Sequence, residues 1–150
     1  MPFPYRKILC PVDIDPDSAD ALAHAAALAK NSGGTLYLLH VVQINPLTAK
    51  ERPRIRRQRL LRFASGSRTG SAGRVCPEYS RAGVKRELAV EVGEPGSLII
   101  ATPQRLGADL VVMATRGRRG LKHLVLGSVA ERVVRESTVP VLTVRGAAGQ

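Results

Sequence analysis

Leu36-Tyr37-Leu38-Leu39-His40-Val41-Val42 is an almost unbroken apolar run. A strand with one wet face alternates apolar and polar residues. A run without alternation suits a strand covered on both faces, as in a parallel sheet between helix layers. Upstream of it, Asn31-Ser32-Gly33-Gly34 stops a helix. That helix carries Leu22, Ala25, Ala26 and Ala29 at helical spacing, with Asp15 as N-cap and Pro16 at its first position. Before it, Ile8-Leu9-Cys10-Pro11-Val12 is a first short strand, ended by the acidic turn 13–17. Downstream, a third strand reads at about Glu87–Val92. Gly93-Glu94-Pro95 then opens a helix to about Leu106, which Pro103 should kink or shorten. Gly107-Ala108-Asp109 turns into a fourth strand, Leu110-Val111-Val112-Met113-Ala114. A glycine-containing loop leads to a helix from about Ser128 to Glu136, and Val139–Val144 is a fifth strand. Pro140 removes a ladder donor, so that strand should lie at an edge or start there.

Strand and helix alternate over 150 residues. The pattern implies right-handed crossovers and one doubly wound α/β domain over residues 1–150, with a parallel sheet and helices on both faces. Residues 46–86 break the regularity. Arg52 to Phe63 could form a basic helix with Leu60, Leu61 and Phe63 as a thin apolar face. Ser65 to Ala82, rich in Gly, Ser and Arg, reads as a flexible loop.

Charge is concentrated there too. The chain carries 23 Lys+Arg and 12 Asp+Glu, a net +11. Residues 50–86 hold 12 of the basic and two of the acidic residues, a net +10, so the rest is nearly neutral. A basic run of this kind leaves nucleic-acid or other polyanion binding open as an alternative. No apolar run reaches the ~18 residues of a membrane span. The N-terminal apolar run is too short for a signal peptide. Cys10 and Cys76 lack metal spacing, and Cys10 reads as a buried thiol. The expected location is the cytoplasm.

Doubly wound sheets bind ligands at the carboxyl ends of their strands, where the winding reverses. Two strand ends carry suitable chemistry here. The first ends at Val12-Asp13. The fourth ends at Thr115-Arg116-Gly117, followed by Gly117-Arg118-Arg119-Gly120 and, at a helix start, Gly127-Ser128. Glycines let backbone N–H groups approach an anion, a helix N-terminus adds free donors, and the Ser128 hydroxyl can reach a phosphate oxygen. Arg116, Arg118, Arg119 and Lys122 supply positive charge. Together they make a polyphosphate cradle. Plainer roles compete. Ser128-Val129-Ala130-Glu131 is also a capping box, Gly117 and Gly120 could be turn glycines, and Asp13 could neighbour a helix cap. A Walker A motif is absent. Gly117-Arg118-Arg119-Gly120 matches the G-x-x-G loop of KH domains, but four residues are a weak signal and the parallel α/β order argues against it. His24, His40 and His123 are scattered, with His40 expected in the core or at a strand end. No general base is evident, so the cradle favours binding over turnover.

The chain resembles a universal stress protein domain. The resemblance rests on Lys7-Ile8-Leu9-Cys10-Pro11-Val12-Asp13, Leu38-Leu39-His40-Val41-Val42, Gly107–Met113, Leu126–Val133 and Val139–Val144. Nucleotide-binding members carry Gly-x2-Gly-x9-Gly-Ser/Thr. The same frame here is Ala114, Gly117 and Gly127-Ser128, with alanine at the first position. The resemblance implies a five-stranded parallel sheet in order 3-2-1-4-5. It implies ATP or a related adenine nucleotide as ligand, with Mg²⁺ or Mn²⁺, and a role in surviving stress. Adenine would be held by Asp13 and the backbone near Val41, and phosphates by Gly117, Gly127 and Ser128. The whole implied set is Pro11, Val12, Asp13, Val41, Met113, Ala114, Thr115, Arg116, Gly117, Gly127, Ser128 and Val129, with no catalytic residue. Hydrolysis, where it occurs in the family, is slow, so a slow metal-dependent ATPase is a further alternative. Family members commonly form homodimers through the fifth strand, here Val141–Val144. An extended backbone at Ala114 would accept the extra Cβ at little cost, whereas a left-handed one would cost about 1 kcal/mol or more. Residues 50–86 lie outside the resemblance.

Overall fold

The computed structural model describes residues 3–13, 16–43, 84–115 and 126–145. In chain order its elements are β1 (Lys7–Pro11), α1 (Pro16–Ser32), β2 (Thr35–Val42), β3 (Lys85–Val92), α2 (Pro95–Leu106), β4 (Leu110–Ala114), α3 (Ser128–Glu136) and β5 (Val141–Val144). All strand pairs are parallel, and the sheet order is β3-β2-β1-β4-β5. The winding therefore reverses between β1 and β4.

The reading of β2 as a strand covered on both faces holds. Leu36 and Leu38 join Ile8, Cys10, Val12, Leu110, Val112 and the α1 residues Leu22, Ala25, Ala26 and Ala29 in one core. Leu39 joins Leu9, Val111, Met113 and the helix residues Ile99, Ala130 and Val133 in a second, on the opposite face. Fully burying each large aliphatic side chain contributes about 1.5–3 kcal/mol. Pure alternation of side chains across the pleat sorts these residues between the two cores.

Several boundaries differ from expectation. β3 starts at Lys85, two residues earlier than predicted, because its register with β2 runs from Thr35↔Lys85 to Val42↔Val92. β1 ends at Pro11 rather than Val12, and β5 starts at Val141 rather than Val139. Pro140 therefore precedes β5, which is an edge strand among the described residues, as a missing donor requires. Pro103 does not end its helix, which continues to Leu106. The Pro103 carbonyl instead accepts from Gly107 N–H, and Gly107 closes the helix at φ 68°, a left-handed conformation suited to glycine. Gly34 is required for another reason. A Cβ there would overlap the Arg6 carbonyl, which accepts from Thr35 N–H at 2.7 Å. Asp109 joins β1 to β4 by accepting from the N–H groups of Arg6 and Lys7 at 2.9 and 3.1 Å. The predicted cap Asp15 and the predicted basic helix 52–63 lie outside the described residues.

Candidate functional site

The carboxyl ends of β1 and β4 face the point where the winding reverses. The chain leaving β1 is pinned at successive backbone groups. Val12 N–H donates to Leu39 O at 2.9 Å, and Asp13 N–H donates to the buried Ser18 hydroxyl of α1 at 2.9 Å. His40 Nδ1 lies 3.0 Å from the Val12 carbonyl. A carbonyl only accepts, so Nδ1 carries the proton. His40 is 4% exposed, which places it in the core as expected, and its Nε2 has no hydrogen-bond partner among the described residues. The half-buried Asp13 therefore leaves the sheet from a backbone held on both sides. Neither Ser18 nor the His40–Val12 bond was singled out from sequence. The latter spans 28 residues and has no local signal.

The exit of β4 is built differently. Thr115 N–H continues the ladder to Val144 O at 3.0 Å, and the Thr115 carbonyl accepts from Gly127 N–H at 2.6 Å. That bond brings the two ends of the 115–127 loop together at the first turn of α3. Gly127 is the N-cap in extended conformation (φ −69°, ψ 165°) and makes no side-chain cap bond. The first intrahelical bond runs from Glu131 N–H to Gly127 O. The N–H groups of Ser128, Val129 and Ala130 consequently have no intrahelical acceptor. The capping-box role considered for Ser128 is overturned. Ser128 is the first helical residue, one place too late, and Glu131 pairs instead with Arg135 at 2.7 Å. Ser128 is exposed at the start of α3.

The remaining members of the expected set divide by position. Pro11 and Val41 are half-buried at the ends of β1 and β2; Pro11 pairs with Leu39 and Val41 with Glu91. Met113 is buried and Val129 half-buried in the core beneath α2 and α3. Ala114 pairs with Val144, and its side chain joins the α1 core. No described non-glycine residue has positive φ, so alanine at this position carries no backbone strain. Arg116 and Gly117 lie outside the described residues, as do Gly120, Lys122 and His123. No group of three or more His, Cys, Asp or Glu side chains among the described residues could hold a metal ion.

Helix α3 is tied to α2 near this end. Glu94 caps α2, accepting from the N–H groups of Gly96 and Ser97 at 3.0 and 2.8 Å and from the Ser97 hydroxyl at 2.6 Å. Arg132 of α3 donates to the same carboxylate at 2.7 Å. The Ser97 hydroxyl bond, followed by the backbone donors and Arg132, lowers the Glu94 pKa to about 2. Pairing with Glu94 raises that of Arg132.

An all-parallel sheet in this order, with a gathered pair of strand exits at its reversal point, defines a doubly wound α/β protein. The chain belongs to the universal stress protein family, whose model matches residues 4–145. It is 32% identical over 143 residues to universal stress protein MJ0531 of Methanocaldococcus jannaschii, covering 94% of this chain and 82% of that one. It is 31% identical to universal stress protein YxiE of Bacillus subtilis, covering 94% and 99%. Among solved structures, protein MJ0577 aligns with a TM-score of 0.69 at 28% identity over 94% of this chain and 96% of its own. Two further structures share the fold at a TM-score of 0.65 each. One is a universal stress protein in complex with cAMP (23% identity, covering 93% and 96%). The other is the Archaeoglobus fulgidus protein in complex with dAMP (22% identity, covering 93% and 97%). No helix among the described residues is long and apolar enough to cross a membrane.

Proposed function

We propose that this protein binds ATP or a related adenine nucleotide at the carboxyl ends of β1 and β4 and acts by binding rather than by turnover. The observation that carries the reading is the first turn of α3. Among the described residues its N–H groups have no side-chain cap, and they sit beside the Gly127–Thr115 bond that joins the ends of the 115–127 loop. Such a turn favours a phosphate by partial charge and by hydrogen bonding. Asp13, with Pro11, Val12 and the backbone at Val41, takes the adenosine end. Met113 to Gly117 and Gly127 to Val129 take the phosphates, with Mg²⁺ or Mn²⁺ entering on phosphate oxygens. That two proteins of this fold are in complex with cAMP and dAMP supports adenine as the base. Homodimerisation through β5 and a role in a cytoplasmic stress response complete the proposal.

The test is direct. Nucleotide released from the purified, denatured protein is identified, and ATP is then titrated with Mg²⁺. Gly127→Val is expected to abolish binding by filling the approach to the helix turn. Ser128→Ala is expected to weaken it about tenfold, the loss of one bond to a charged oxygen. No binding at millimolar ATP would remove the reading. Metal-dependent phosphate release that vanishes in Gly127→Val would instead establish the slow ATPase.

A further inference from the structure

β3 differs from its neighbours in what it shows to the helix layer above it. Side chains alternate across a strand, and Leu88 and Val90 pack in the α1 core. Glu87, Ala89 and Glu91 therefore face the other way, toward α2, where β1 and β2 present Leu9, Tyr37 and Leu39. A strand facing a helix layer usually offers apolar bulk there. β3 offers one methyl group between two carboxylates. The result is a cavity of about 200 Å³ between β2, β3 and the last turns of α2. Leu9, Leu39 and Leu106 form its apolar wall, and Glu87, Glu91 and Arg105 are its charged groups. Every residue that lines it is described, and none belongs to the nucleotide set. It extends from the pair Tyr37↔Glu87 near the amino ends of β2 and β3 to Thr102 and Leu106 near the end of α2, away from the exits of β1 and β4.

The charges define what the cavity would hold. Glu91 Oε1 accepts from the Arg105 guanidinium of α2. Glu91 Oε2 is buried and has no hydrogen-bond partner among the described residues. A carboxylate oxygen only accepts, so what it lacks is a donor. A buried acceptor left unpaired is costly, and for a charged group more so. Two carboxylates and one guanidinium give the lining a net charge of −1. Size sets the second requirement. A dry cavity of about 150 Å³ takes up benzene, so this one has room for a ring with a short arm, about ten non-hydrogen atoms. We infer that the cavity binds a small amphipathic cation, a primary ammonium on an apolar body. The ammonium donates to Glu91 Oε2, and the body lies against Leu9, Leu39 and Leu106. This site is separate from the nucleotide reading and stands whether or not that reading does.

The experiment titrates 2-phenylethylammonium chloride into the ¹⁵N-labelled full chain and follows the amide resonances. Saturable shifts are expected at Ala89, Glu91 and Thr102, with a dissociation constant in the millimolar range or below. 2-Phenylethanol has the same body without the charge and should bind about fivefold more weakly. Glu91→Gln keeps the shape and removes the charge. It should weaken the ammonium about tenfold and leave the alcohol unchanged. Ala89→Leu fills the cavity, so it should abolish binding of both while the melting temperature holds or rises. Should that variant fail to fold, Glu91→Gln decides alone. No saturable shift at tens of millimolar overturns the inference and leaves a cavity filled by water. Equal affinity for ammonium and alcohol, or an ammonium affinity that Glu91→Gln does not change, overturns the cation. Binding that survives in folded Ala89→Leu, or shifts confined to other residues, overturns the place.

Discussion

Ala114 stands where the nucleotide-binding frame has its first glycine, and the backbone decides what that exchange means. The residue is extended, paired with Val144, and its methyl group packs in the α1 core. It therefore needs no glycine, and its Cβ is spent on packing. Ala114→Gly should lower stability by about 0.5–1 kcal/mol through backbone entropy and a lost core methyl. It should leave ATP affinity within about twofold. Paired thermal melts and titrations check this; a tenfold gain in affinity would show that the methyl crowds the ligand. At this scale the sequence revealed the spacing of Ala114, Gly117 and Gly127-Ser128 but not the conformation at each position. It also concealed the bonds that hold the backbone at Val12 and Asp13. Those come from Ser18 and His40, which reach the chain through tertiary contact and not through any local pattern.

Among the elements, α2 and α3 share one exposed carboxylate. Glu94 both caps α2 and receives Arg132 of α3, with a pKa lowered from 4.5 to about 2. A carboxyl group with a depressed folded pKa stabilises fully above its unfolded value. That stabilisation is lost as pH falls from about 4.5 toward about 2. Solvent screening keeps the effect modest. Glu94→Gln should melt below the native protein at pH 7, and the gap should close as pH falls to 3 and below. Thermal melts across that range measure it; a gap of constant size would show that ionisation of Glu94 is irrelevant. The start of α2 was legible because Glu94-Pro95 is a local signal. The start of α3 was legible to the residue, but its capping was not. The sequence Ser128-Val129-Ala130-Glu131 reads as a capping box, yet the bond from Gly127 N–H to Thr115 O makes glycine the N-cap and moves Ser128 inside. A contact between loop ends overrode a local rule, and the N-cap it set, Gly127, has no side chain to cap the first turn.

For the whole molecule, the parallel sheet covered on both faces followed from apolar runs and turn residues, because such a sheet writes itself into unbroken hydrophobic segments, whereas its strand order came from the family resemblance. β5 is an edge among the described residues, and it leaves Leu142 38% exposed while Val134 of α3 is 46% exposed. An edge with an apolar residue on it invites pairing with a second copy. In a twofold dimer through β5, Leu142→Glu places two like charges near one axis. The native protein should therefore migrate at twice 16.1 kDa by light scattering and the variant at the single mass, with unchanged circular dichroism. A native monomer at tens of micromolar would remove the β5 dimer. Salt separates this association from the one that the basic segment could support. Each chain carries a net +11, so two copies repel, and added salt should strengthen the dimer by screening. Binding of a polyanion through residues 50–86 would weaken steeply with the same addition. Opposite salt slopes, measured by light scattering and by retention on a polyanion column, would assign the two surfaces independently. Association that weakens with salt would mean that the copies meet through charge and not through the apolar edge.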